Sequence, residues 1–139
     1  MSDSQRFPVA AHALAYLAHK HADCAQAAVS SGELATSIAT NPVVVRRVTA
    51  MLAKAGLIAT RPGASGGAWL LMPAEAIGLD VVLRAVNGGA HFGAPRPGSK
   101  DCPIAERLPK LVSAAIAAAD DAAAQQLSRT TVADLLAAD

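Results

Sequence analysis

Asn41-Pro42-Val43-Val44-Val45-Arg46-Arg47-Val48-Thr49-Ala50-Met51-Leu52-Ala53-Lys54-Ala55-Gly56 opens the most informative part of the chain. It runs on as Leu57-Ile58-Ala59-Thr60-Arg61-Pro62-Gly63-Ala64-Ser65-Gly66-Gly67-Ala68-Trp69-Leu70-Leu71-Met72. Asn is a strong N-cap, and the fixed φ and missing donor of proline suit the first helical position. The spacing predicts a helix from Pro42 to about Lys54, closed by Gly56 in a left-handed conformation. At about 100° per residue, Val45, Val48 and Leu52 share one face, and Val43, Arg46, Arg47, Ala50 and Lys54 share the other. Leu57 to Arg61 predicts a strand, Pro62 to Gly67 a loop, and Trp69 to Met72 a returning strand.

Upstream, Ser30-Ser31-Gly32-Glu33 fits a capping box, with a hydroxyl at the cap and a carboxylate three residues on. It starts a short helix that buries Leu34, Ala35 and Ile38 and ends near Ala39. A longer helix precedes it, from Phe7 to Asp23, with Pro8 at its first position and Ala10, Ala11, Leu14, Leu17 and Ala18 on one face. Ala25 to Val29 is a connection. Downstream come at most one turn at Ala74 to Ile77 and an amphipathic helix from Leu79 to Val86, stopped by Asn87-Gly88-Gly89. A Gly- and Pro-rich linker covers Ala90 to Lys100. An Ala-rich helix from Ile104 to about Ser128 would be about 38 Å long. Thr131-Val132-Ala133-Asp134 starts a short last helix.

The chain has 139 residues, 53% of them hydrophobic and 3% aromatic. This excludes a disordered chain and a core of stacked rings. No apolar run approaches the roughly 18 residues of a membrane span. The polar start lacks the basic-then-apolar order of a signal peptide, so the expected location is cytoplasmic. Net charge is +1, but its distribution is uneven. Leu34 to Ala74 contains no Asp or Glu, while Arg46, Arg47, Lys54 and Arg61 make it basic; Asp101 to Asp139 has more acids than bases.

Two short helices, the second with a basic face, followed by a Gly-tipped hairpin, predict a winged helix-turn-helix that binds double-stranded DNA. A helix fits the major groove. Small residues at its start let the backbone approach phosphates, and Arg46 and Arg47 reach guanine edges or phosphate oxygens. The contact set is expected to be Ser31, Asn41, Pro42, Val43, Val44, Arg46, Arg47, Arg61, Ser65 and Gly66. An ordinary helical hairpin with a solvated basic face is the structural alternative.

Several segments together resemble one family. Ser4-Gln5-Arg6-Phe7 with His12-Ala13-Leu14 is similar to its first helix, and Asn41 to Val48 with Leu52 to Ile58 to its recognition helix and first wing strand. Arg61 to Leu71 resembles its glycine-rich wing; Cys102-Pro103-Ile104 and Thr130 to Leu136 match its long-helix start and its end. The chain resembles the Rrf-type winged-helix regulators, relatives of IscR, NsrR and CymR, over nearly its whole length. The resemblance implies a bacterial homodimeric regulator, usually a repressor, whose long helix packs on its partner. Val112, Ile116, Ala119, Ala123 and Leu127 make an apolar stripe suited to that contact. Relatives often carry Arg directly before the first wing glycine. Here Pro62 holds that place, so Arg61 is expected to reach a phosphate rather than the minor groove.

Members that hold an iron–sulphur cluster place three cysteines before the long helix. Here that region has only Cys102. His91 would replace one ligand but not the rest, so the resemblance is to a cluster-less subgroup, and no cofactor or metal is expected. Cys102 stands at a helix N-terminus, where the dipole favours negative charge. It is either a redox-active thiol at a hinge or a small packed residue. The inducer is then an oxidant or a small molecule. Cys24 is expected to be a packing residue, His12 an interior histidine, and His19, His21 and Asp23 solvated surface.

No phosphate-binding loop, nucleophile elbow or carboxylate pair appears, so no enzyme is expected. The competing readings are a thiol-based redox protein using Cys102 and an interaction module that no longer binds DNA. The expected architecture is mainly α with a small β-hairpin wing. It comprises a DNA-binding winged helix-turn-helix over residues 1–89, a linker over 90–103, and a dimerisation helix with a short terminal helix over 104–139.

Overall fold

A computed structural model describes residues 5–88 and 92–137. Six helices and one hairpin follow in the order α1 (Arg6–His19), α2 (Ser31–Ile38), α3 (Pro42–Lys54), β1 (Ile58–Arg61), β2 (Gly67–Leu70), α4 (Leu79–Asn87), α5 (Pro103–Leu127) and α6 (Val132–Ala137). Short 3₁₀ turns occupy Ala25–Ala27 and Ala74–Ala76. The mainly helical fold with one antiparallel hairpin agrees with the expected class.

The core is aliphatic, as a chain this poor in rings requires. Leu14 and Leu17 of α1, Leu34 of α2, Val45, Val48 and Leu52 of α3, Ile58 of β1, and Val82 of α4 are fully buried. Each such side chain contributes about 1.5–3 kcal/mol on burial. Val132 of α6 joins them at 0% exposure, so the chain end returns to α1. α6 is pinned at both levels. Val132 N–H donates to the Ile77 carbonyl (2.9 Å) and Leu79 N–H to the Thr130 carbonyl (2.9 Å). The Thr131–Asp134 capping box is complete: Thr131 N–H donates to Asp134 Oδ2 (2.8 Å), and Asp134 N–H to Thr131 Oγ1 (3.2 Å).

Four expectations need correction. α1 ends at His19 rather than Asp23, because His21 turns left-handed (φ 54°). That turn buries Ala22 and leaves Cys24 exposed, so Cys24 is not a packing residue. His12 is exposed rather than interior, with Nε2 2.9 Å from Ser37 Oγ. β2 starts at Gly67, not Trp69, in the register Ile58↔Leu70 and Arg61↔Gly67. Ala68 also bridges Val29, with N–H to carbonyl bonds of 2.9 Å in both directions. The segment before α2 therefore adds a third rung to the wing, and this pairing pulls Gly67 out of the loop.

The α2 capping box is half as expected. Glu33 N–H donates to Ser30 Oγ (3.1 Å). The Glu33 carboxylate instead accepts from the Tyr16 hydroxyl (2.7 Å) and lies 3.6 Å from Lys20 Nζ, tying α2 to α1. That hydrogen bond, then burial and the carboxylate charge, raises the Tyr16 phenol above its usual 10.0.

α5 has no buried residue over its 25 positions. It leans on α4 along part of the predicted stripe, with Ile116, Ala119, Ala123 and Leu127 half-buried and Val112 exposed. A second apolar set, Ile104, Leu108 and Leu111, faces outward at 63%, 47% and 59% exposure.

Candidate nucleic-acid interface

α3 is oriented by its own buried face. Val45, Val48, Thr49 and Leu52 lock into the core, which turns Val43, Arg46, Arg47, Ala50 and Lys54 outward. Thr49 was not expected inside; its hydroxyl donates to the Arg46 carbonyl (3.2 Å), so burial leaves no unmet polar group. The helix begins where Asn41 Oδ1 accepts the Val44 N–H (3.1 Å), with Pro42 next. The side-chain NH₂ of Asn41 has no partner among the described residues and is exposed with Pro42 and Val43. Val44 is half-buried.

Arg46 reaches back to α2, its Nη1 3.5 Å from the Ser31 Oγ. Arg47 is exposed on the next position. Arg61, at the end of β1, folds over the wing tip, and its Nη2 donates to the Ser65 carbonyl (3.2 Å). Among the described residues, no carboxylate lies within ion-pair distance of Arg46, Arg47 or Arg61. The cationic face is therefore uncompensated, which is the condition for attracting a polyanion.

A groove of about 470 Å³ runs between the start of α2, α3 and the wing base. It gathers Ser31, Arg46, Arg61 and Gly66 of the expected set, over a floor that includes Val29 and Leu34. Gly66 is buried, and a Cβ there would collide with the Arg61 and Pro62 carbonyls. Asn41, Pro42, Val43, Val44, Arg47 and Ser65 lie outside this groove. Cys102 is exposed at the N-cap of α5 and makes no capping bond.

A recognition helix set across a shorter helix, beside a Gly-tipped antiparallel wing, defines a winged helix-turn-helix DNA-binding fold. The family model of the Rrf2 iron-dependent transcriptional regulators matches residues 3–138, and the chain belongs to that family. It is 30% identical over 108 residues to YwnA of Bacillus subtilis (strain 168), provisionally named an HTH-type transcriptional regulator; the match covers 77% of this chain and 80% of YwnA. It resembles the crystal structure of a provisionally named transcriptional regulator from Lactobacillus plantarum, with TM-score 0.75 and 27% identity over 96% of this chain and 88% of that one. T. potens IscR shares the fold, with TM-score 0.66 and 20% identity over 98% and 86% of the two chains. The protein is thus a transcription regulator rather than an enzyme.

The iron in the family description was tested against the donors present. The chain has two cysteines, one before α2 and one at the start of α5. Among the described residues, no three of His, Cys, Asp and Glu come together to hold a metal. His91 lies outside the described residues. The described donors do not fit a cluster held by several thiolates, and no step below runs through iron. Among the described residues, no helix is long and apolar enough to cross a membrane.

Proposed function

We propose that this chain is a cytoplasmic, homodimeric transcriptional repressor that binds a near-palindromic duplex. The carrying observation is the uncompensated guanidinium face of α3 beside the wing. α3 enters the major groove. Arg46 and Arg47 meet base edges or phosphates, and Ser31, Asn41, Pro42, Val43 and Val44 lie along the backbone. The wing tip, with Ser65 and Gly66, follows the adjacent strand. The outward Ile104, Leu108 and Leu111 of α5 support a second copy as the cover for that helix. On this reading, residues 1–89 bind DNA, 90–103 link, and α5 dimerises.

Cys102 supplies the gate. Peroxide oxidises its thiol to sulfenic acid and is itself reduced to water. The exposed position at the joint between linker and α5 supports this reading.

The test is binding to the DNA upstream of its own gene, reduced and peroxide-treated, over a salt series. Tight, salt-dependent binding lost on oxidation is expected, with Cys102→Ser binding in both states. Binding no better than to random duplex would refute the repressor. A response retained in Cys102→Ser would refute the gate and leave a small-molecule inducer.

A further inference from the structure

The role of Arg61 follows from how little else holds the wing tip. Between Pro62 and Gly67 the chain has three glycines and one alanine, so almost no side chain restrains it. Pro62 has no N–H to donate. One backbone bond closes the tip, Gly66 N–H to the Gly63 carbonyl (3.0 Å). The Ser65 hydroxyl makes no hydrogen bond among the described residues. The base of the wing, by contrast, is fixed. Gly66 is pressed on the Arg61 and Pro62 carbonyls, Gly67 on the Val29 carbonyl, and Ala68 is bridged to Val29. Across the otherwise slack tip lies one side-chain clasp, the Arg61 guanidinium on the Ser65 carbonyl (3.2 Å). Glycine-rich loops lose the most entropy on ordering, so a single clasp there has a large effect.

We infer that Arg61 is a positioning residue: it clasps the wing tip in its binding shape and is not one of the cations that neutralise DNA phosphate. Pro62 makes this placement necessary. It sets Arg61 one residue back from the first wing glycine, on the last rung of the ladder opposite Gly67. From there the guanidinium meets the tip's own backbone. Arg46 and Arg47 remain the phosphate- and base-reaching charges. The inference rests on the DNA-binding reading for its consequence, but the clasp can be measured without DNA.

Arg61→Met keeps the aliphatic stem and removes the guanidinium. In the free protein, amide exchange at Gly66 should accelerate, because the Gly63–Gly66 bond loses its support. On the operator, affinity should fall about two- to tenfold, the worth of one net hydrogen bond. The slope of log K against log salt should stay at the wild-type value. Arg47→Met is the control for a phosphate contact, where the slope flattens by about 0.9. A slope flattened by that amount in Arg61→Met, unchanged Gly66 exchange, or unchanged affinity would each overturn the inference. If wild-type protein shows no specific binding, the DNA reading fails instead, and the exchange measurement still decides the clasp.

Discussion

Asn41 separates the two demands on α3, being held in the fold and meeting an anion. Its Oδ1 accepts the Val44 N–H at 3.1 Å, and it stands in a stretch without carboxylates. Asn41→Ala removes the cap and should cost about 1 kcal/mol of stability. With a urea slope of about 2 kcal/mol/M, the midpoint falls by about 0.5 M. Asn41→Asp keeps the acceptor and adds charge that the helix N-terminus favours, so the midpoint should hold or rise slightly. The same carboxylate would face DNA. One charge roughly 4 Å from a phosphate in water costs about 1 kcal/mol, or about fivefold in Kd. Two assays at one protein concentration decide: urea unfolding followed by the fluorescence of the single tryptophan, Trp69, and anisotropy of a labelled duplex. The expected signature is crossed. Asn41→Asp folds as wild type but binds at least fivefold more weakly, while Asn41→Ala loses stability. Wild-type affinity in Asn41→Asp would refute the placement of the α3 start against DNA. An unchanged midpoint in Asn41→Ala would refute the cap.

Leu111→Asp, at 59% exposure, should leave the folded protomer intact and halve the mass seen by light scattering; a persisting dimer would move the interface off this face. Gly67→Ala drives a Cβ into the Val29 carbonyl at a positive φ, so it should destabilise by about 1–3 kcal/mol in urea unfolding. The single tyrosine offers a clean titration. The fold favours the neutral Tyr16 phenol, so this stabilisation is complete below pH 10.0 and is lost as pH rises through the higher folded value. In Glu33→Ala the midpoint read by ultraviolet absorbance should drop toward 10.0, and an unmoved midpoint would rule out the Tyr16–Glu33 bond as the cause.

Features whose partners lie within a few residues were legible in the sequence. The Asn41-Pro42 start, the Thr131–Asp134 box, the left-handed Gly56 and the outward turn of Arg46 and Arg47 all follow from i, i+3 and i, i+4 geometry. Where a side chain had two partners of similar worth, local pattern could not choose between them. Glu33 left its own helix start for Tyr16, seventeen residues upstream. Arg61 turned from a presumed phosphate to the carbonyl of Ser65. Val29, read as plain connection, became a rung of the wing because Ala68 came beside it with unpaired backbone groups. Cys24 went to the surface because one left-handed residue, His21, ended α1 early and gave the buried place to Ala22. The sequence by itself thus determined where helices start and stop, and which face of α3 carries charge, since caps and periodicity act over one turn. Tertiary structure decided which distant groups complete each other's hydrogen bonds, because that competition is settled only when packing brings them together and excludes water.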